Sequence, residues 1–168
     1  MWKDICGYEG LYKISDSGEV KSLQRHVENG SKNGMILKER ILSKCECKNG
    51  YYYVSLRDGH RRKNFYIHKL VANAFLDELG DTVNHKDGNK KNNCVSNLEI
   101  VSYSENNKHA YDIGLRKKGE NHYNAKLTYA QVEEIKHRGK YAPYYKIGKK
   151  YGVSAATIRD ILLKNTWK

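Results

Sequence analysis

Three side chains between residues 82 and 111 are of types that can act on a phosphate group. They are His85, Asn97 and Asn106. A neutral imidazole can take the proton from a water molecule, and an amide carbonyl can bind the divalent cation that neutralises charge developing on a phosphate. Because the ordinary pKa of histidine is about 6.5, the imidazole is available as a base at neutral pH. An imidazole and an amide carbonyl that face one point predict a site for one divalent metal ion and one activated water.

The surrounding residues predict the elements that must position these side chains. Thr82 and Val83 favour a short strand, and residues 98–101 alternate as a second strand would. Between them, Asp87-Gly88-Asn89 has turn chemistry, because glycine and asparagine tolerate positive φ and an aspartate can bond back to its own backbone. Two strands are therefore expected to flank a polar loop.

A helix is predicted to follow the second strand. Ser102 and Glu105 have the spacing of a capping box, so the helix should begin there and continue to about Tyr111. His85 closes the first strand and Asn106 lies in the first turns of the helix. Packing of the helix across the hairpin is expected to bring these two side chains together.

The local sequence resembles a known nuclease motif. The words that carry the resemblance are NHKDGNKKNN, NLEIVS and SENNKHA, which are similar to the HNH, or ββα-metal, motif of intron-encoded bacteriophage homing endonucleases. That signature is a His, then an Asn, then eight residues to a third His or Asn; His85, Asn97 and Asn106 fill it. The resemblance implies that His85 is the general base and that Asn97 fastens the loop and orients His85. It further implies that Asn106 and Asn84 bind one divalent metal ion, Mg²⁺ or Mn²⁺.

The chain departs from the motif at one position. Relatives often carry Asp immediately before the catalytic His, where this chain has Asn84. Two amide carbonyls bind Mg²⁺ more weakly than an amide and a carboxylate, so we expect poor metal affinity without DNA. Asp87 either serves as the missing carboxylate ligand or only stabilises the turn. His109, on the same helix face as Asn106, either assists the site or meets solvent or phosphate.

The charge of the chain indicates a polyanionic partner. Lys and Arg total 31 against 19 Asp and Glu, giving a net charge of +12 and a pI near 9.4. Residues 1–80 carry 14 basic and 10 acidic groups, residues 81–111 carry 4 and 4, and residues 112–168 carry 13 and 5. The positive charge therefore lies on the flanks of the predicted site, which favours double-stranded DNA as the partner.

Composition also bears on the compartment and on metals. No apolar run approaches the roughly 20 residues that span a bilayer, and MWKDICGYEG has no signal-peptide pattern, so we expect an intracellular protein without a membrane partner. The resemblance places it in a phage-infected bacterial host. The four cysteines form no CxxC pair, so neither a structural zinc site nor a disulfide framework is expected.

The N-terminal stretch predicts a small β module. Residues 12–14 and 19–23 alternate around Asp16-Ser17-Gly18, which is a hairpin pattern. The words GYEGLYKIS and GEVKSL resemble a module often found ahead of phage HNH domains, for which DNA contact is inferred. The aromatic residues of the module are expected to build its core; they are Trp2, Tyr8 and Tyr12.

A loop at residues 26–34 separates this module from a second hairpin. Residues 51–56 and 63–67 favour strands, and residues 68–76 have apolar positions at helical spacing. The basic residues around the hairpin turn either contact phosphates or are only solvated. They are Arg57, Arg61, Arg62 and Lys63.

The C-terminal third predicts a linker and a helical DNA-binding region. Residues 112–127 have no apolar period and are expected to extend along the DNA backbone through Arg116, Lys117 and Lys118. Thr128 and Gln131 have capping-box spacing for a helix that stops at Gly139.

Residues 144–163 satisfy the pattern of a helix-turn-helix. Gly148 suits the close approach of two helices, and Gly152 suits the turn. In a major groove, the second helix would present its first turns to base edges. The side chains placed there are Ser154, Ala155, Ala156 and Arg159. The alternative is that this helical pair packs against protein.

These observations predict an α+β protein of several modules in an extended arrangement. The expected domains are residues 1–26 as a β module, 35–111 as the nuclease domain with its core motif at 82–111, 112–127 as a basic linker, and 128–168 as the helical region. The function predicted is a site-specific homing endonuclease acting as a monomer, with one active site and therefore nicking one strand. The alternatives are a DNA-binding regulator that has lost catalysis through Asn84, and an RNA-binding accessory protein.

Overall fold

The computed structural model describes residues 1–27, 34–59, 61–76 and 80–167, with only the backbone of Arg138 and Lys140. The chain forms two compact units, residues 1–109 and 110–168. Of the loop predicted at residues 26–34, residues 28–33 lie outside the described part, and His26 and Val27 form part of a strand instead. None of the helices in the described ranges has the length and apolar character that crossing a bilayer requires.

The first half of unit 1 consists of short antiparallel strands. They are β1 (Trp2–Asp4), β2 (Tyr12–Ser15), β3 (Val20–Ser22), β4 (Arg25–Val27), β5 (Met35–Leu37), β6 (Arg40–Ile41), β7 (Cys45–Glu46), β8 (Tyr52–Asp58) and β9 (Arg61–Tyr66). They form sheets in the orders β1-β2-β3-β6, β4-β5 and β7-β8-β9. Both predicted hairpins, β2-β3 and β8-β9, are confirmed. The strand β8 is longer than expected, because Arg57 and Asp58 continue it.

The second half of unit 1 has the predicted order of helix, strand, loop, strand and helix. Its elements are α1 (Ile67–Phe75), β10 (Thr82–His85), β11 (Leu98–Val101) and most of α2 (Tyr103–Asp112). The capping box is confirmed, because the Glu105 amide donates to Ser102 Oγ at 3.2 Å and the Ser102 amide donates to Glu105 Oε2 at 2.9 Å. The hydrogen bond that the Ser102 hydroxyl donates to Glu105 Oε2, followed by the one from the Ser102 amide, lowers the pKa of the Glu105 carboxyl.

A single hydrophobic core joins the two halves of unit 1. It contains Ile14 and Val20 from the first sheet together with Val54 and Leu56 from the third, Ile67 and Val71 from α1, and Leu98 from β11. Residues 1–26 and residues 35–111, which were expected to form different domains, therefore contribute to the same core. Strands this short have too little apolar surface to bury alone, so they share one core with the helix.

The first hairpin turn packs directly on the polar loop between β10 and β11. The Val95 amide donates to the Asp16 carbonyl oxygen at 2.8 Å. Gly18, at φ +78°, lies so close that a Cβ there would be 2.8 Å from the Cβ of Asn93. The N-terminal module therefore supports the loop that carries the candidate chemistry.

Unit 2 is helical, with α3 (Tyr129–Arg138), α4 (Tyr144–Tyr151) and α5 (Ala155–Leu162). The predicted capping box of Thr128 and Gln131 is present. Leu127 is buried in the same core as Val132, Ile135, Ile158 and Ile161. The predicted linker therefore ends within the helical core. It is also not fully extended, because residues 119–121 form a 3₁₀ turn and Glu120 accepts a hydrogen bond from the Tyr129 amide at 2.8 Å.

The helix-turn-helix geometry of α4 and α5 depends on two glycines. Gly152 ends α4 in the left-handed region at φ 67°. Gly148 lies so close to the turn that a Cβ there would be 2.5 Å from the Val153 carbonyl oxygen. Ser154 caps α5 by accepting a hydrogen bond from the Thr157 amide at 3.1 Å.

We expect Gly148→Ala to destabilise unit 2 more than Gly152→Ala does. The first change forces a methyl group against backbone that cannot rotate away, at a cost of about 1–3 kcal/mol. The second places a methyl group in open space, so its only cost is that of holding alanine in the left-handed conformation, ~1 kcal/mol. Urea unfolding followed by the amide NMR signals of α5 measures both. Equal stability of the two variants would contradict the close-approach role of Gly148.

Candidate active site

His85 is the last residue of β10, and its imidazole is buried, with 5% of its surface exposed. Its Nε2 lies 3.2 Å from Asn93 Oδ1. The Asn93 amide nitrogen donates to the Lys91 carbonyl oxygen at 3.2 Å, so the amide oxygen is the atom that faces His85. His85 Nε2 therefore carries the hydrogen, and its Nδ1 retains a lone pair.

Burial lowers the pKa of His85, and the hydrogen bond that its Nε2 donates to Asn93 opposes this only in part. The imidazole is thus neutral at pH 7. A neutral ring whose Nε2 is held and whose Nδ1 has a free lone pair can accept a proton from water. This is the state that a general base requires.

Two aromatic side chains pack against the ring of His85. The ring centroids of His68 and His85 are 5.4 Å apart in an edge-to-face arrangement, and Tyr51 lies 4.8 Å from His68 and 6.0 Å from His85. His68 Nδ1 is buried without a hydrogen-bond partner in the described structure. Burial, then the proximity of His85, lowers the pKa of His68 to about 4. The sequence predicts a helix that begins at His68. The contact of His68 with His85 could not be predicted, because it depends on tertiary packing.

Asn97 fastens both ends of the polar loop. Its side-chain oxygen accepts from the Asp87 amide at 3.1 Å, and its side-chain nitrogen donates to the Asn92 carbonyl oxygen and to Asp87 Oδ1, both at 2.9 Å. Its backbone oxygen accepts from the Lys86 amide at 2.8 Å. These bonds match the expected loop-fastening role. Any effect of Asn97 on His85 is transmitted through the loop.

Asp87 is committed to the turn. Its Oδ1 accepts from the Asn89 amide at 2.8 Å in addition to Asn97, and its Oδ2 accepts from the Asn92 side chain at 2.8 Å. The bond from Asn92, followed by those from Asn89 and Asn97, lowers the pKa of the carboxyl. Since both oxygens hold the loop, the geometry favours the turn role of Asp87 over the ligand role.

Asn84 faces the other side of the hairpin from His85, because neighbouring side chains alternate along a strand. It is buried, with 7% of its surface exposed. Its amide nitrogen donates to Glu99 Oε1 at 2.7 Å and lies 3.1 Å from His109 Nδ1 on α2. We expected His85 and Asn106 to converge, yet the hydrogen bond from the hairpin to α2 is made by Asn84. Asn106 is half-buried and precedes His109 by three residues, on the same helix face.

The donors on this side of the hairpin suit a hard divalent cation. Within the described ranges, no three His, Cys, Asp or Glu side chains gather to hold a metal ion. A cation here would therefore need amide oxygens, which Asn84 and Asn106 carry. The oxygen of the Asn84 amide takes no part in the two bonds above, so it is a suitable donor.

The predicted phosphate contacts of unit 1 lie on the β8-β9 hairpin. Arg57, Arg61, Arg62 and Lys63 are all exposed, and Arg57 pairs with Arg62 across the strands. Both of these arginines also line a depression with Arg25 and Arg40. Arg25 has a structural role, because its guanidinium donates to the Leu11 and Leu23 carbonyl oxygens, to Ser22 Oγ and to the Tyr12 hydroxyl. Lys38 and Arg40 also line this depression, and neither was expected from the sequence.

The predicted contacts of unit 2 are also exposed. They are Arg116, Lys117, Lys118, Ser154, Ala155, Ala156 and Arg159. The Ser154 hydroxyl is used by the α5 cap, and Arg159 pairs with Asp160 at 3.3 Å. Ala155 and Ala156 occupy the open first turn of α5, where a recognition helix presents its side chains.

A hairpin that ends in a histidine and is followed by a helix bonded across it defines the ββα arrangement of the HNH nucleases. Sequence and structure comparisons agree. Residues 1–57 match the NUMOD4 motif. The chain is a relative of the HNH homing endonucleases of the bacteriophage type.

Among its relatives is the DNA endonuclease I-HmuI of Bacillus phage SP01, which is 43% identical over 107 residues, covering 62% of this chain and 54% of that protein. Another is the SPbeta prophage-derived putative HNH homing endonuclease YosQ of Bacillus subtilis (strain 168), 44% identical over 77 residues, which are 44% of each chain. The chain thus spans about half the length of these two relatives. A structure described as DNA binding and cleavage by the HNH homing endonuclease I-HmuI aligns with a TM-score of 0.57 at 26% identity, covering 100% of this chain and 92% of that one.

We expect His85 to be in the Nε2–H tautomer with a pKa below 6.5, because burial opposes protonation and Asn93 holds the Nε2 hydrogen. Long-range ¹H–¹⁵N correlation spectra of the imidazole, recorded across pH in metal-free protein, measure both quantities. Asn93→Ala should turn the single tautomer into a mixture, whereas Asn107→Ala on the exposed face of α2 should not. A dominant Nδ1–H form in the wild type would contradict the assignment.

We expect the free energy of unfolding to decrease as the pH falls, because His68 then becomes protonated. The unfolded chain protonates this ring near pH 6.5 and the folded chain only near pH 4. Its contribution is therefore complete above about pH 6.5 and decreases as the pH falls towards 4, by about 3 kcal/mol. Urea unfolding between pH 7 and 4.5 should show a weaker pH dependence for His68→Phe. Removal of an exposed histidine, His137→Gln, should leave the dependence unchanged; a weakening equal to that of His68→Phe would refute the assignment.

Proposed function

We propose that the chain is a site-specific HNH endonuclease that hydrolyses phosphodiester bonds of double-stranded DNA with a histidine general base and one divalent metal ion. The observation that carries the proposal is the buried His85, whose Nε2 is bound to Asn93, which leaves Nδ1 as the nitrogen able to take a proton. A protein that only binds DNA has no need of a base at this position. The relatives named as endonucleases support the same activity.

In the proposed reaction, His85 Nδ1 takes a proton from a water molecule while the water oxygen bonds to phosphorus. The bond from phosphorus to the 3′ oxygen breaks with its electron pair on that oxygen, which then takes a proton from solvent water. Asn93 holds the opposite ring nitrogen, and the rings of His68 and Tyr51 prevent the imidazole from rotating. Mg²⁺ or Mn²⁺ bound through Asn84 and Asn106 would neutralise charge on the phosphate and on the leaving oxygen. Because Asn84 and His85 leave the strand on opposite faces, this reaction requires the phosphate to lie beyond the end of β10, which is at His85.

Binding of DNA is proposed to involve both units. Basic groups of the β8-β9 hairpin and of residues 116–118 meet phosphates, which position the protein without reading sequence. The first turn of α5 meets base edges, where Ala155 or Ala156 can contact a thymine methyl group and Arg159 a guanine. Because one chain carries one such base, a monomer cuts one strand in each binding event.

Cleavage of supercoiled phage and host DNA tests this function. With Mg²⁺ or Mn²⁺ we expect open circles before linear molecules, and no product with EDTA. His85→Ala should reduce the rate about 10²-fold or more, the usual contribution of a general base. His137→Ala, which removes an exposed histidine of α3, should leave the rate unchanged. Cleavage by His85→Ala at the wild-type rate would refute the base, and linear product without open circles would refute nicking by a monomer.

The second candidate is a sequence-specific DNA-binding regulator, favoured by the neutral Asn84 where relatives often carry a carboxylate. It requires specific binding of DNA without metal-dependent cutting. A gel shift with the DNA used for cleavage separates the two. Specific binding with no cleavage in either metal would establish the regulator and reject the endonuclease.

A further inference from the structure

The amide nitrogen of Asn84 occupies the point where two electron-pair donors meet. It lies 2.7 Å from Glu99 Oε1 and 3.1 Å from His109 Nδ1. Because an amide NH₂ can only donate, His109 Nδ1 must be the acceptor, and the hydrogen of that ring is on Nε2. A carboxylate and an imidazole lone pair therefore converge on one partly positive group.

Both converging groups are of the types that bind divalent cations. Rotation of the Asn84 amide by 180° would turn its oxygen towards the same two groups. Three acceptors would then face one another, which is unfavourable unless a cation lies among them. The amide hydrogens of Asn84 thus stand in for a cation, and the rotated amide would supply an oxygen ligand in addition to Glu99 and His109.

We propose that Glu99 and His109 complete the metal site of this chain, and that Glu99 supplies the carboxylate that position 84 lacks. Glu99 lies directly opposite Asn84 in the strand register. Its carboxylate therefore lies on the same face of the hairpin as a carboxylate at position 84 would. The inference rests on the proposed function, in which Asn84 and Asn106 are ligands. It changes the donor set from two amides to two amides, a carboxylate and an imidazole.

The charge and composition of this set determine the expected affinity. A carboxylate gives the site a negative charge, so the protein should bind a cation without DNA. An imidazole among oxygen donors favours Mn²⁺ over Mg²⁺. A purely structural network, in which Glu99 and His109 only hold Asn84 and α2 in place, predicts neither property.

The test is binding of Mn²⁺ to the full chain without DNA, measured by electron paramagnetic resonance. Glu99→Gln keeps the acceptor for Asn84 and removes the charge, so affinity should fall about tenfold or more. Glu105→Gln is the matched control, because glutamine also serves in a capping box, and its affinity should equal that of the wild type. Asn84→Asp should restore binding to the Glu99→Gln protein. His109→Gln should reduce the preference for Mn²⁺ over Mg²⁺.

Equal affinity of the wild type and Glu99→Gln would overturn the proposal, as would failure of the wild type to bind Mn²⁺ at millimolar concentration. The outcome is independent of cleavage. Binding that depends on Glu99, in a protein that cuts no DNA, would support the site and reject the endonuclease. Cleavage that depends on His85, together with unchanged Mn²⁺ binding in Glu99→Gln, would support the endonuclease and reject the proposed ligands.

Discussion

The antiparallel register of β10 with β11 is the constraint on which the rest of the site depends. It places His85 opposite Leu98 and Asn84 opposite Glu99. Because side chains alternate along a strand, the first pair faces the hydrophobic core and the second faces α2. A slip of one residue would exchange these faces, putting the imidazole outside and the amide inside. Burial of Leu98 in the core of unit 1 opposes such a slip.

The core side of the hairpin sets the chemistry of the base. Loss of water lowers the pKa of His85, and Asn93 determines which ring nitrogen carries the hydrogen. The loop that carries Asn93 is itself held by Asn97 from within and by the turn at Asp16 and Gly18 from outside. The N-terminal module thus contributes to the geometry of the candidate active site, beyond any contact with DNA.

Local patterns in the sequence were sufficient for most of the secondary structure. The two capping boxes, the hairpin turns and the glycines of the helix-turn-helix act within a few residues, so their effects can be read without knowledge of the fold. The same holds for the loop-fastening role of Asn97, whose partners Asp87 and Asn92 lie within ten residues of it. The shared core of unit 1 could not be read in this way, because it joins residues far apart in the chain.

The sequence by itself determined the order of elements, the position of a histidine at a strand end, and the excess of positive charge on the flanks. Only the tertiary structure decided that Asn93 and His68 contact His85 and that Glu99 and His109 meet at Asn84. The physical reason is that these contacts join residues whose separation in the chain carries no periodic pattern. His68 belongs to α1 and His109 to α2, and each reaches the hairpin only when its helix packs on the corresponding face.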